Sequence, residues 1–556
     1  MSLPSSARWI LSLVLLNSVL LAPVWLLHGD PSQRWLALEA AFLAGALAIL
    51  PSPGRMAGLR WLLVALIIMA LLVGLGDMAT HLAFGRSLNL YLDLPLIRSV
   101  FHLLEGNLGA TLAVLVAVAA MVLMVVVIWL LTRMVESLQG RARRVRSVTV
   151  ALVTLVASGV LIAAELQKVR LVPMARTPLL DTLRFQGQQL VETRRAHRDF
   201  AERMAAAPVE VTALPGLASH DVVLVFVESY GTSALFDDRY AEVLEPRLAE
   251  MDERLGAAGL SVASGLLDSP IRGGQSWLAH ATLLSGLRVD NSLWYRLMLD
   301  SERTTLVDDF RATGHRTLTV MPAITMAWPE GQAYGFDEIH AAADLAYAGP
   351  PLNWVTMPDQ YTLHHFETRI RQSAASRRAA ERPPLFAQIA LISSHAPWTP
   401  ILPVLDDWNE VGDGSVFARW EDAGDPPDQL WQDLERVRDH YARSLDYALA
   451  ASIRWAEDFV DDQTLMILLG DHQPAPLITG DNASGAVPVH VISGDARLLD
   501  PFMARGFVSG SRPRRPDGYP DGEIAGQQAF RGWLHEAFGA GDVTDDTGTI
   551  PSPQVN

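Results

Sequence analysis

The chain has 556 residues and no cysteine. That excludes disulfides, a thiolate nucleophile and Cys-ligated zinc. It leaves the compartment open, because proteins outside the cytoplasm also do without disulfides. Positive charge is scarce too: 44 Lys and Arg face 61 Asp and Glu, a formal net charge of −17. Such a surplus of acid argues against nucleic acid as a partner.

Apolar residues are plentiful. They make up 50% of the chain, and the excess lies at the front. The length exceeds one ordinary core, so two or more domains are expected. Five apolar segments read as membrane spans: residues 9–27, 35–50, 59–76, 108–131 and 148–166. A span takes roughly 20 apolar residues, so the second is marginal. It also carries Glu39, which has to snorkel or face the bundle. Were it to fail as a span, the topology would flip, so loop charge becomes the arbiter. The basic segment from Arg133 to Arg146 belongs on the cytoplasmic side, and Arg8, Arg55 and Arg60 agree. The expected plan is a five-helix transmembrane domain over residues 1–170 and a linker helix in 171–215. An extracytoplasmic α/β domain follows over 216–538, then a disordered tail over 539–556. The protein then sits in a bacterial cytoplasmic (inner) membrane with its large domain outside, on the periplasmic side.

The α/β domain is organised around Asp221-Val-Val-Leu-Val-Phe-Val-Glu-Ser-Tyr-Gly-Thr232. Its aliphatic run reads as a strand buried on both faces, as in a parallel sheet. It stops at Glu228, and sites in open α/β sheets form just past strand carboxyl ends. Alone, this is also what a strand entering a solvated turn looks like. A second stretch, Thr464-Leu-Met-Ile-Leu-Leu-Gly-Asp-His-Gln473, repeats the pattern and ends in Asp471 and His472. Together these ends suggest one mixed oxygen and nitrogen site for a divalent metal ion. Mn²⁺ or Zn²⁺ suits imidazole best, with Mg²⁺ possible.

Arg272-Gly-Gly-Gln-Ser276 precedes a helix-forming run. A serine there is commonly an N-cap. The functional alternative is a nucleophile whose oxygen lies on the metal, at a helix terminus that favours phosphate. Residues 385–392 form a further buried strand that runs into Ser393-Ser-His395-Ala-Pro-Trp398, so His395 shares the placement of the other candidates. Helices are expected over 246–258, 306–313 and 441–459, and strands over 316–321 and 487–492. His490 falls inside the last strand and reads as structural. Trp328 either packs in the core or lines a substrate pocket.

With these residues assembled, the chain resembles the alkaline phosphatase/sulfatase superfamily. The nearer resemblance is to its membrane-anchored group: lipoteichoic acid synthases, phosphoglycerol transferases of periplasmic glucans and lipid A phosphoethanolamine transferases. The motifs that carry it run from Asp221 to Ile492. The resemblance implies a sulfatase-like domain with a mostly parallel central sheet and helices on both faces. It implies Glu228, Asp471 and His472 as metal ligands, with Ser276 as nucleophile and fourth ligand. Ser276 with Leu283-Leu-Ser-Gly286 keeps the length of the sulfatase nucleophile motif, but Leu278 replaces its Pro and His280 its Arg. Without Cys or that Pro, a formylglycine sulfatase does not fit. Ser394-His395-Ala-Pro397 matches the transferase motif whose His contacts the phosphoryl group. Trp328 loosely matches a pocket aromatic, and His280 is a candidate to orient phosphate or protonate a leaving group. The phosphoethanolamine group is usually disulfide-rich, which this chain is not. The implied activity is transfer of a phosphoglycerol-type head group, with phosphatidylglycerol as donor and an extracytoplasmic glycan or lipid as acceptor. Rivals are phosphoethanolamine transfer, a membrane-tethered phosphodiesterase or sulfatase, and a metal-free scaffold.

Overall fold

The computed structural model describes residues 5–28, 35–50, 57–94, 96–139, 145–169, 171–206, 210–326, 328–372, 382–480, 482–520 and 522–539. The tail expected to be disordered lies, from 540 onward, outside the described residues, as do Arg55 and residues 140–144 of the basic segment. The chain divides into two compact units, Met1–Asp199 and Phe200–Asn556.

The first unit is helical. It contains α1 (Ser5–His28), α2 (Leu38–Ile49), α3 (Ala57–Phe84), α4 (Leu96–Leu138), α5 (Val145–Leu166) and most of α6 (Pro178–Ala206). Among the described residues, four of these, α1, α3, α4 and α5, are long and apolar enough to cross a membrane. The second of the five expected spans is the exception. Leu36 and Ala37 are drawn into a short parallel pairing with Ala175 and Arg176, which leaves α2 only 12 residues. At 1.5 Å per residue that is about 18 Å, short of a hydrocarbon core of about 30 Å. Glu39 is buried, and its Oε1 accepts the Leu180 N–H at 3.2 Å. Within the stretch 171–215, residues Pro178–Ala206 form α6.

The second unit is built on one eight-stranded sheet. Its strands are β1 (Asp221–Val227), β2 (Ser261–Asp268), β3 (Arg316–Met321), β4 (Glu338–Ala341), β5 (Leu385–Leu391), β6 (Thr464–Gly470), β7 (Ala486–Ser493) and β8 (Val508–Ser509). The order is β8-β2-β7-β6-β1-β5-β3-β4. From β6 to β4 every neighbouring pair is parallel, whereas β7 runs against both β6 and β2. The aliphatic run of β1 is what fits a central strand, and all of its residues are buried.

Alternation along β1 separates the two faces. Val223, Val225 and Val227 join the core with Tyr441 and Leu445 of α10 (Leu434–Phe459), while Phe226 meets His280 of α8 (Ser276–Ser285). The helix expected over 246–258 begins earlier, as α7 (Asp238–Ala257), because Asp237 caps it and Pro246 is absorbed inside it. Bidentate Arg247–Asp446 contacts tie α7 to α10. On the opposite side α9 (Leu306–Thr313) meets α11 (Phe530–Phe538) through a buried ion cluster. Asp309 takes two bonds from Arg531, at 2.6 and 2.9 Å, and contacts His535 at 2.8 Å.

Register then aligns the strand ends. Val227 pairs with Leu391 on one side and Gly470 on the other. Residues 228, 392 and 471 therefore leave the sheet side by side at one edge.

Candidate active site

Glu228 and Asp471 emerge from β1 and β6 into tight turns. Ser229 sits in the left-handed region at φ 58°, and its N–H donates to Asp471 Oδ1 at 2.8 Å. The His472 N–H donates to the same oxygen at 2.6 Å. Both bonds hold Asp471 so that Oδ2 lies toward the cluster, 3.7 Å from His472 Nε2. Gly470 is needed before this turn, since a Cβ there would lie 1.8 Å from the Tyr230 carbonyl oxygen. Tyr441 of α10 donates its hydroxyl to the Ser229 carbonyl at 3.0 Å, fixing the turn from the helix side.

Ser276 arrives from a loop that only a special backbone permits. Gly273, Gly274 and Gln275 have φ values of 72°, 138° and 68°, so three successive residues adopt positive φ. The Gly273 N–H donates to the Gln473 carbonyl at 2.8 Å, which ties the loop to the residue after His472. Ser276 is the first residue of α8; the N-cap position belongs to Gln275, which offers no side-chain cap bond. The hydroxyl is free for other work. It donates to Glu228 Oε2 at 2.9 Å and lies 3.2 Å from His472 Nε2.

His472 closes the cluster. Its Nδ1 is 2.8 Å from the Gln473 carbonyl, so Nδ1 carries the proton and Nε2 faces the carboxylates. Nε2 is 3.3 Å from Glu228 Oε1. Ligand atoms of Glu228, Asp471 and His472 all lie within 4.8 Å of one another, and all three residues are buried.

The electrostatics follow from two buried carboxylates beside one imidazole. Burial pushes Glu228 up, but the charge and hydrogen bond of His472 outweigh it and hold this carboxyl well below the usual range. Burial and then the charge of Glu228 raise Asp471 to about 7. Burial alone would lower His472; Asp471 and Glu228 outweigh it and raise it to about 9. A cation is thus demanded between the carboxylates, and a proton on His472 supplies it. The donors fit a divalent metal ion: two carboxylates, an oriented imidazole nitrogen and a hydroxyl.

The remaining predicted residues are distributed around this cluster. His395 follows β5, its Nδ1 donates to the Ala396 carbonyl at 2.6 Å, and its charge is among those that depress Glu228. Ser394 donates its hydroxyl to the Glu228 carbonyl at 2.6 Å, locking this loop to the ligand turn. His280 lies one turn along α8 and is drawn toward the sheet. Its Nδ1 is 3.2 Å from Gln388 Nε2, its ring is 4.0 Å from that of Phe226, and burial lowers its pKa to about 4. Trp328 packs over the turn at Gly331 and near Tyr334. An aromatic ring does meet His395: Trp354, stacked at 3.6 Å and 14°. Sequence reasoning passed over Trp354, whose only local signal is the preceding Pro350-Pro351-Leu352-Asn353 turn, with Asn353 at φ 57°. His490 bonds Tyr230 at 2.9 Å and Ser264 at 2.7 Å within the sheet, apart from the cluster.

Neither a protein-family model nor a curated protein matches the chain. Solved structures do. The lipoteichoic acid synthase LtaP from Listeria monocytogenes is 11% identical, over 54% of this chain and 71% of that one, with a TM-score of 0.33. The C-terminal periplasmic domain of EptC from Escherichia coli is 14% identical, over 59% and 86%, with a TM-score of 0.36. The Streptococcus pyogenes phosphoglycerol transferase GacH, solved with sn-glycerol-1-phosphate, is 14% identical, over 62% and 80%, with a TM-score of 0.36.

Proposed function

We propose that the protein is a membrane-anchored, metal-dependent transferase that moves a substituted phosphate group through a covalent intermediate on Ser276. The observation that carries this is the Ser276 hydroxyl, at 2.9 Å from Glu228 and 3.2 Å from His472, on the first residue of a helix. Glu228, Asp471, His472 and Ser276 would hold one divalent ion, with Mn²⁺ or Zn²⁺ favoured by the imidazole. When bound, the ion supplies Lewis acidity to the phosphate and lowers the pKa of the serine hydroxyl.

The chain's own groups do the rest. Ser276 Oγ, oriented by its bond to Glu228 Oε2, attacks phosphorus as its proton is released to water. The P–O bond to the diacylglycerol breaks, and the departing oxygen takes up a proton from water. An acceptor hydroxyl then attacks the same phosphorus and gives its proton to water; the P–Oγ bond breaks, and Ser276 Oγ takes a proton back from water. His395, braced against Trp354, steadies phosphate oxygens on the β5 side. His280 is kept neutral by burial and bonded to Gln388, which suits holding α8 against the sheet better than protonating a leaving group.

Phosphatidylglycerol is the donor we favour, with an extracytoplasmic glycan or lipid as acceptor. Sidedness follows from charge. If the basic segment ending at Arg146 is cytoplasmic, α5 crosses once and the α/β domain lies outside. That holds whether or not α2 spans; only the side of the amino terminus changes.

The test is mass spectrometry of the metal-loaded, full-length protein after exposure to head-group-labelled phosphatidylglycerol or phosphatidylethanolamine. A labelled adduct on Ser276 supports the reading, and its mass names the transferred group. Diacylglycerol release by Ser276→Ala at the wild-type rate would refute it. Release with water alone as acceptor marks a hydrolase.

A further inference from the structure

Arg272 opens the loop that presents Ser276. Its backbone forms a bridge with Gln473, next to His472. Its side chain is partly buried, and burial pulls its pKa down. Among the described residues, no hydrogen bond or ion pair engages this guanidinium. The nearby acid is taken: Asp268 pairs with Arg288 at 2.9 Å. The nearby phenol is taken as well, since the Tyr519 hydroxyl bonds Thr232 Oγ1 at 3.2 Å. A further cation sits beside it, with Arg515 over the Tyr519 ring at 4.8 Å. Tyr519 thus carries Arg515 on its ring and lies within electrostatic reach of Arg272.

A guanidinium that gives up hydration without gaining an acceptor is unfavourable, and an incoming anion reverses that. The strand order gives Arg272 a position. Arg272 follows β2, and its neighbour Gln473 follows β6; His395 follows β5 on the other side of β1. The cluster with Ser276 therefore has the segment of His395, backed by Trp354, on one flank and the segment of Arg272, whose guanidinium has no hydrogen-bond or ion-pair partner among the described residues, on the other.

We propose that Arg272, with Arg515 beside it, forms a second anion subsite for a phosphate group that the substrate carries in addition to the one attacked at Ser276. The role as a substrate subsite rests on the phosphotransfer reading, but the binding of a second phosphate does not require turnover. Two guanidinium groups suit a phosphate, monoester or diester, through paired N–H donors to its oxygens. The extra phosphate comes either from a lipid donor with two phosphates or from an acceptor already bearing one.

Equilibrium binding to the full-length, Mn²⁺-loaded protein in detergent tests this, in two arms. One compares glycerol 1,3-bisphosphate with glycerol 1-phosphate; the other compares short-chain cardiolipin with short-chain phosphatidylglycerol. A charged hydrogen-bonded contact corresponds to about a tenfold preference for the bisphosphate ligand. That preference in either arm supports the subsite, and the arm names the source. Arg272→Gln should bring the ratio toward one, Arg272→Lys should keep part of it, and Arg515→Gln should lower it less. A wild-type ratio of one in both arms overturns the proposal, as does a ratio that Arg272→Gln leaves intact. Loss of all four ligands in a folded Arg272→Gln protein also overturns it, by assigning Arg272 to holding the Ser276 loop. These readouts are separate from the Ser276 adduct, so a missing adduct with an intact binding ratio rejects the transfer chemistry and not the anion site.

Discussion

Metal binding at the cluster should be steeply coupled to protons. In the cation-free protein Asp471, raised by burial and by Glu228, titrates at about 7, and His472, raised by Asp471 and Glu228 against its burial, at about 9. A metal ion needs both as deprotonated ligands. Between pH 9 and 7 one proton has to leave, so apparent affinity falls roughly tenfold per pH unit. Below pH 7 a second proton leaves with it, and the fall becomes about a hundredfold per unit. From pH 9 to 6 the loss is roughly four powers of ten, about 5 kcal/mol. Calorimetric titration of Mn²⁺ in buffers of different ionisation enthalpy counts the protons directly: about one per ion at pH 8 and about two at pH 6 by the same linkage. Glu228→Gln removes a charge that raises both groups. It should weaken Mn²⁺ binding overall and flatten the slope between pH 7 and 9. No proton release at pH 8, or the wild-type slope in Glu228→Gln, would show that these side chains do not hold the ion.

Three further outcomes follow from the geometry. Trp354→Ala removes the stack that braces His395, a contact worth about 0.5–1.5 kcal/mol; donor KM should rise up to about tenfold, with the Ser276 adduct still forming. An unchanged KM would assign the stack to packing alone. Arg531→Met leaves Asp309, 0% exposed, without its bidentate partner. Urea unfolding of the full-length protein in detergent should then show a loss of about 3–5 kcal/mol, and a loss under 1 kcal/mol would contradict the buried-pair reasoning. His490, lowered by burial to about 4, stays neutral in the fold while the unfolded chain takes up a proton from about pH 6.5 downward. Its contribution is therefore present above pH 6.5 and lost as pH falls toward 4, about 2 kcal/mol by pH 5. His490→Gln should shed that part of the pH dependence, and an identical profile in both proteins would refute it.

Much of the α/β domain was legible because its strands are buried on both faces. Such strands need unbroken aliphatic runs, and residues 222–227 and 465–469 are written that way. The polar residues that end those runs are conspicuous for the same reason, so Glu228, Asp471 and His472 stood out from the chain alone. The short edge strand β4, with no fully buried residue, has no such run and gave no signal. The membrane unit shows the limit of hydropathy. An apolar segment at 35–50 reads as a span, but pairing at Leu36 and Ala37 shortens its helix.

What the chain by itself determined was a list of candidates and the element that carries each. Only tertiary structure decided which meet, because the contacts are set by strand register and by a loop conformation that composition does not encode. Val227 opposite Gly470 brings Glu228 beside Asp471 from a distant part of the sequence, and the Ser229–Asp471 bond, across 242 positions, closes the same turn. Three successive positive φ angles, one of them at Gln275, carry Ser276 to them. The stacking of Trp354 on His395 has the same cause, since nothing in the local pattern around Trp354 names a partner in the loop after β5.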